Sequence, residues 1–320
     1  MKIYTLKSWL RIFNSTGKVA PSRRRTVKKS RWPDEVLEFV RMYTADHPCF
    51  YIEELQTELV QRFPTLGNIS IPTVCRALKH DLKLSRKILS KRARQALPRE
   101  IRDYFSRLKS FVTNSDQLVF VDETSKDGRS AVRKYAWSTI NKRAIVNLPY
   151  SRGTRVSALC AMDCKGFFAS VTTSGTFTRM SHHSAMVNHI IPKLNPYPAP
   201  RSILILDNAK IHMYNQLIEA CHAVGALIFF LPPYCPQFNP IEVGFSVLKS
   251  KIQKHANMAF KDYPEDIIKA LLPTCFINGT KDLFEHCGYG RSGLILDYFE
   301  GEAREMEKYH SNGNDLNLDL

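Results

Sequence analysis

Hydrophobic residues after position 115 alternate between short strand-like runs and longer stretches with helical spacing. The runs predict strands over 118–121, 134–138, 156–162, 167–173, 203–206 and 226–231. Helical spacing predicts helices over 180–194, 213–224 and 240–255. The segment 203–206 is apolar throughout, which favours a strand covered on both faces. This order of elements predicts an α/β domain over residues 116–260.

Three short helical patterns precede that domain, within residues 32–96. Val36 and Val40 share one face of the first, and Leu55 and Leu59 share one face of the second. The third begins after Ser70, a good helix cap. Three short helices with a basic third one predict a helix-turn-helix module whose third helix enters the major groove of DNA. A three-helix bundle that does not bind DNA is the alternative on pattern alone.

The charge of the chain is concentrated in its first third. The net charge is +16, and residues 1–115 hold 24 Lys and Arg against 10 Asp and Glu, whereas the remainder holds 22 against 20. A polyanion is the expected partner of the basic part, because neutralised phosphates release condensed counterions. The side chains predicted to contact double-stranded DNA are Arg23, Arg24, Arg25, Thr73, Arg76, Lys79, Arg86 and Lys87.

Several other classes of protein are disfavoured by the composition. No apolar run is long enough to span a bilayer, so no membrane association is predicted. The first residues lack the continuous hydrophobic region of a secretory signal. The eight cysteines are scattered, with no CxxC pair and no zinc-finger spacing, which favours an intracellular protein with reduced thiols.

Three acidic residues stand where hydrophobic strands end. Asp122 follows the first strand, Asp207 follows the run 203–206, and Glu242 lies in the motif NPIE after the last strand. Functional sites of open α/β sheets gather at the carboxyl ends of strands. Each residue has a structural alternative, and Glu242 also fits a capping-box position with Asn239 as the helix cap.

Considered together, the three carboxylates indicate a catalytic metal site. Carboxylates that converge in one cleft repel one another unless divalent cations neutralise them. Their hard oxygen ligands select Mg²⁺ or Mn²⁺. Two such ions would activate the attacking oxygen and stabilise the leaving oxygen in phosphodiester cleavage. The catalytic and metal-binding residues are therefore predicted to be Asp122, Asp207 and Glu242.

Neighbouring polar residues are expected to play smaller parts. Glu123 should point away from Asp122 because side chains alternate along a strand, which favours a structural role. His182 and His183 have no partners in the sequence that argue for zinc. His212 lies close to Asp207 along the chain and could equally be a packed helix residue.

The strings VDETSKDG (121–128), LDNAKIH (206–212) and LPPYCPQFNPIE (231–242) resemble the DDE transposases of the mariner superfamily. The 34 residues between Asp207 and Glu242 match the spacing of one major branch. The resemblance implies a ribonuclease-H-like fold in which those two residues and Asp122 are catalytic, with Asn208 and His212 as possible supporting residues. Cys235 and Gln237 depart from the usual serine and aspartate, which leaves loop detail open.

The activity implied by the resemblance is cut-and-paste DNA transposition. Such an enzyme binds the terminal inverted repeats as a homodimer in a synaptic complex. Hydrolysis at the transposon ends frees a 3′-hydroxyl that attacks target DNA at a TA dinucleotide. The expected location is the nucleus of a eukaryote, or otherwise the cytoplasm on DNA. A domesticated or truncated non-enzymatic DNA-binding protein is the main alternative, and a nuclease or integrase of the same fold is a second.

Three further segments lie outside the two predicted domains. Residues 1–31 resemble the remnant of a first helix-turn-helix followed by a basic linker. Residues 97–115 are predicted to form a linker helix. Residues 261–320 are predicted to form a helical extension that ends in a disordered tail.

Overall fold

The chain forms two compact units, residues 1–90 and 91–320. The computed structural model describes residues 3–17, 32–67, 69–87, 93, 95–127, 135–145, 155–256 and 259–311. The predicted DNA contacts Arg23, Arg24 and Arg25 lie outside the described residues, as does the predicted tail after 311. No helix in the described ranges is both long and apolar enough to cross a membrane.

The first unit is helical, as its sequence pattern predicts. Its helices are α1 (Ile3–Thr16), α2 (Asp34–Asp46), α3 (Ile52–Arg62) and α4 (Ile71–Arg76), and α4 continues as a wider π-helical turn over Ala77–Asp81. The side chains that form the core of α2 to α4 are Trp32, Val36, Val40, Leu55, Leu59, Ile69, Val74 and Ala77. The residues placed on the inner faces by helical spacing are therefore the ones that pack together.

The second unit is built on a five-stranded sheet. Its strands are β1 (Leu118–Lys126), β2 (Val156–Asp163), β3 (Gly166–Ser174), β4 (Ile203–Leu206) and β5 (Leu227–Phe230). They lie in the order β3-β2-β1-β4-β5. The pairs β1–β2 and β2–β3 are antiparallel, and the pairs β1–β4 and β4–β5 are parallel. A short ribbon of β6 (Tyr289–Gly290) and β7 (Gly293–Leu294) stands apart from the sheet.

Helices cover both faces of this sheet. They are α5 (Pro98–Leu108), α6 (Arg179–Ala185), α7 (Asn215–Ala223), α8 (Pro240–Lys251), α9 (Pro264–Leu271), α10 (Lys281–His286) and α11 (Leu296–Ser311). Alternation along β1 divides the core, because Leu118 and Phe120 pack with α5, α8 and the C-terminal helices. Val119 and Val121 pack with α6 and α7 on the other face. The strand therefore presents successive side chains to two different environments.

The strand predicted over 134–138 is wrong for its described residues, 135–138, which form no strand. Tyr135 is 92% exposed, and the side chain of Trp137 is fully exposed. Aromatic residues favour strands only where a neighbouring strand and a core receive them. Here β1 extends to Lys126 and pairs along its length with β2, so that edge of β1 is already occupied.

The predicted linker helix and C-terminal extension both contribute to the core of the second unit. In α5, the ring of Phe105 stacks on Phe299 of α11 with centroids 5.1 Å apart. Tyr104 in α5 and Tyr289 in β6 share a buried hydrogen bond of 2.9 Å between their hydroxyls. Phe299 also stacks on Phe238, the residue just before Asn239, with centroids 4.9 Å apart. The C-terminal helix thus supports the segment that leads into α8.

We expect Phe299→Ala to destabilise the protein by about 3–5 kcal/mol, because it leaves a cavity between three aromatic rings. Thermal denaturation monitored by circular dichroism measures the loss. Leu296→Ala is the matched control, since Leu296 lies in the same helix and is 56% exposed. Equal melting temperatures for the two variants would show that α11 is not part of the core.

Candidate active site

Asp122 occupies the point where β1 leaves the apolar core. It pairs with Cys160 of β2 and is only 7% exposed. Its Oδ1 accepts the backbone N–H of Glu123 at 2.7 Å, and its Oδ2 accepts the side-chain amide of Asn239 at 2.9 Å. Both oxygens are therefore oriented by donors on two different elements, and each retains acceptor capacity.

Asp207 and Glu242 reach the same end of the sheet from other elements. Val121 of β1 pairs with Leu206 of β4, so Asp122 and Asp207 are the next residues along two parallel, hydrogen-bonded strands. Glu242 lies in the first turn of α8, the helix whose preceding residue is Asn239. Because Asn239 binds Asp122 directly, the start of α8 is held beside the middle of β1.

The electrostatics of Asp122 reflect this convergence. Burial, followed by the negative charges of Glu242 and Asp207, raises the pKa of Asp122 to about 8. Glu242 and Asp207 affect Asp122 in this way because their carboxylates lie near it at a buried position. Such a group remains protonated in neutral solution unless a cation is supplied.

The donor set of this cleft fits a hard divalent cation. All three carboxylates offer oxygen ligands, which Mg²⁺ and Mn²⁺ prefer. The Oδ1 atom of Asn239 is buried and has no hydrogen-bond partner among the described residues, so a further oxygen lacks a donor beside Asp122. A positive ion would reduce the repulsion among the carboxylates and would attract the unsatisfied oxygen of Asn239.

A histidine orients Asp207 from the other face of β1. The Nδ1 atom of His212 lies 2.5 Å from Oδ1 of Asp207, and its Nε2 lies 3.0 Å from Oε1 of Glu123. Burial opposes the charged imidazole, but the hydrogen bonds to Asp207 and Glu123 outweigh it and raise the pKa of His212 to about 10. Burial also opposes ionisation of Asp207, yet the bond to His212 prevails and lowers its pKa. Asn208 follows Asp207 and is half-buried.

Two polar residues of this site were assigned other roles by sequence reasoning. Asn239 was considered only as the cap of α8, in the structural alternative of a capping box, but its side chain makes no cap bond and binds Asp122 instead. Glu123 does point away from Asp122, as strand alternation requires, and it contacts His212. The sequence signal for both was only their position beside an acidic candidate, because the contacts join residues 89 or more positions apart.

The described DNA-contact candidates all lie in the first unit. Arg76 and Lys79 are exposed on α4 and its continuation, and Arg86 and Lys87 are exposed beyond it. Thr73 is half-buried, and its hydroxyl shares a hydrogen bond of 3.0 Å with Ser70 at the start of α4. The basic side chains are therefore exposed to solvent, although Nε of Arg76 donates to the carbonyl of Pro72 at 3.2 Å, and Thr73 contributes to the start of its own helix.

The sheet order and helix placement define a ribonuclease-H-like fold. Residues 117–263 match the family model described as DDE superfamily endonuclease, a range that contains Asp122, Asp207 and Glu242. Over this range the chain is similar to the DDE superfamily endonucleases. The similarity agrees with the DDE assignment that the sequence strings implied for the catalytic domain.

Solved structures share the fold at low sequence identity. A pre-cleavage Mos1 transpososome is 14% identical, with a TM-score of 0.56 over 97% of this chain and 87% of the other. A Mos1 strand transfer complex is 15% identical, with a TM-score of 0.56 over 97% and 88%. A Mos1 mariner paired-end complex with Mn is 14% identical, with a TM-score of 0.53 over 97% and 89%. No curated protein matches the chain in sequence.

The raised pKa of Asp122 predicts a pH-dependent effect of Asp122→Asn on the metal-free protein. The pKa of an aspartate in an unfolded chain is about 3.9, whereas burial and the neighbouring carboxylates raise the pKa of folded Asp122 to about 8. Folding therefore loses stability as the pH rises between these values, and the neutral amide escapes that loss. In EDTA, we expect the variant to melt several degrees above the wild type at pH 8.5, with a smaller difference at pH 5.

Asp262→Asn is the control for this measurement, because Asp262 is an exposed carboxylate of the same unit. Added Mn²⁺ should raise the melting temperature of the wild type more than that of Asp122→Asn. A difference between Asp122→Asn and the wild type that stays constant from pH 5 to 8.5 would contradict the burial of an ionisable group at this position.

Proposed function

We propose that this protein is a cut-and-paste DNA transposase. The observation that carries the proposal is the convergence of Asp122, Asp207 and Glu242 at one end of the sheet of a DDE endonuclease domain. A chain that also carries a separate, basic helical unit has the parts needed to bind DNA ends and to cut them. The Mos1 complexes of the same fold are transpososome and strand-transfer assemblies, and this supports the proposal.

In the proposed mechanism, the three carboxylates hold two Mg²⁺ or Mn²⁺ ions. When bound, these ions supply activation of the attacking oxygen and stabilisation of the leaving oxygen. Asn239 fixes the carboxylate plane of Asp122, and His212 fixes that of Asp207. Glu242 is exposed in the first turn of α8, so its carboxylate is accessible to an ion. The Mn present in one Mos1 paired-end complex supports this choice of ion.

The proposed substrate is double-stranded DNA. The first unit would bind terminal inverted repeats, with α4 in the major groove and the basic segments along phosphates. Two copies of the chain would hold two ends in a synaptic complex, and the freed 3′-hydroxyl would attack a TA target. In a eukaryote, we expect a protein with this activity to be in the nucleus.

Asp207→Asn and Glu242→Gln are expected to reduce cleavage to the background rate, since each removes a charged ligand while keeping the side-chain size. The assay uses the full chain, Mn²⁺ or Mg²⁺, and a duplex carrying the inverted repeats that flank the gene. Glu219→Gln, an exposed change on α7, should cleave as the wild type does. Unchanged cleavage by Asp207→Asn would refute the catalytic assignment.

Arg76→Ala and Lys79→Ala are each expected to weaken DNA binding and to reduce the slope of log affinity against log salt by about 1. Fluorescence anisotropy with the same duplex at several salt concentrations measures this slope. Arg41→Ala is the matched control, because Arg41 is an exposed arginine on α2 that pairs with Glu38. An equal loss of DNA affinity in all three variants would exclude α4 as the DNA-binding helix.

The alternative is a non-enzymatic DNA-binding protein derived from a transposase. It predicts that the duplex is bound but never cut with either ion. Retention of all three carboxylates favours the enzyme.

A further inference from the structure

Three potential metal ligands meet on the face of β1 opposite Asp122. They are the Oε1 atom of Glu123, the Nε2 atom of His182 and the Nε2 atom of His212. The Oε1 atom of Glu123 lies 3.6 Å from Nε2 of His182 and 3.0 Å from Nε2 of His212. One ligand atom from each of the three residues lies within 4.8 Å of those of the other two. They come from β1, α6 and the loop after β4, so the fold itself assembles the cluster.

His182 lacks the partners that a buried imidazole needs. Its side chain is fully buried, and neither ring nitrogen has a hydrogen-bond partner among the residues that the structure describes. Its distance to Glu123 is too long for a hydrogen bond. Buried polar atoms without partners are rare and costly, and an unoccupied ion site is one explanation.

His212 has the carboxylate hydrogen-bond partner that a metal-bound histidine normally has. Its Nδ1 faces Oδ1 of Asp207 and its Nε2 faces Oε1 of Glu123, so zinc would bind at Nε2 and displace the proton there to solvent. Metal-ligating histidines almost always donate their second N–H to a carboxylate, which fixes the tautomer and orients the ring. The rings of His182 and His212 are stacked, with centroids 4.5 Å apart and an interplanar angle of 26°.

The donor chemistry identifies the class of ion. Two imidazoles and one carboxylate suit zinc, whereas Mg²⁺ and Mn²⁺ prefer oxygen ligands alone. Zinc bonds of about 2.0–2.2 Å require the three ligand atoms to close around the ion by small side-chain rotations. Glu123 is partly exposed, which leaves a route for entry and a fourth position for water.

We propose that Glu123, His182 and His212 bind one zinc ion at a site separate from the three catalytic carboxylates. The ion would join α6 to β1 and, through His212, fix the orientation of Asp207. The cluster would then position a carboxylate of the active site. This inference does not rest on the proposed transposase activity.

Zinc binding by the full chain tests the proposal directly. The protein is stripped with EDTA, dialysed and titrated with Zn²⁺ by calorimetry, and Co²⁺ serves as a spectroscopic probe. We expect one high-affinity Zn²⁺ per chain and visible Co²⁺ bands of a tetrahedral nitrogen and oxygen site, without a thiolate charge-transfer band. Zn²⁺ should also raise the melting temperature, since it binds only the folded state.

His182→Gln is expected to weaken Zn²⁺ binding by at least about 100-fold. Glu123→Gln is a second variant with the same expectation, so that a folding defect in one does not decide the result. His189→Gln is the matched control, because His189 is exposed on the continuation of α6. Melting in EDTA shows whether each variant is folded.

Three results would overturn the proposal. The first is the absence of high-affinity zinc, and the second is binding that survives in folded His182→Gln. The third is binding lost in Glu242→Gln and kept in His182→Gln, which would place the ion among the catalytic carboxylates. Because the readout needs no DNA, a negative result leaves the proposed function standing, and a failure of DNA cleavage leaves this inference standing.

Discussion

The unfavourable burial of Asp122 beside two other carboxylates is the constraint on which the rest of the catalytic unit depends. Its ionised form is opposed by desolvation and by the charges of Glu242 and Asp207. A fold maintains such a group only if other interactions hold it in position. Here the parallel pairing of β1 with β4 and the amide of Asn239 supply that support. The aromatic packing of Phe299 on Phe238, one residue before Asn239, extends it to the C-terminal helix.

The two faces of β1 divide the chemistry of the site. On one face, Asp122 meets the start of α8. On the other, the next residue, Glu123, meets His212 and, farther off, His182. Asp207 at the end of β4 connects the two, because it lies beside Asp122 in the sheet and contacts His212. Asp207 is therefore next to the groups on both faces of β1.

Much of this arrangement could be predicted from local sequence patterns. The hydrophobic pattern predicted four of the five sheet strands to within one residue at each end, whereas β1 continues five residues beyond its predicted end and contains Asp122. The positions of the acids beside strand ends still predicted that they would meet. Strand spacing was misleading for 134–138, because aromatic alternation there has no neighbouring strand to pair with. Local patterns show which side chains are suited to a strand, but they do not show whether a partner is available.

The contacts that refine the site could not be predicted, because they join residues far apart in the chain. Asn239 looked like a helix cap, and nothing near it in sequence indicated Asp122 as its partner. His182 looked isolated for the same reason, since Glu123 and His212 reach it only through the fold. The predicted linker helix was recognised as a helix, whereas its packing on α11 depends on residues almost 200 positions later.

The most direct test of the central claim is a crystal structure of the full chain grown with Mn²⁺ and measured at the manganese absorption edge. We expect anomalous density for two ions held between the carboxylates of Asp122, Asp207 and Glu242. Anomalous density elsewhere with this cleft empty, or three carboxylates that share no ion, would contradict it.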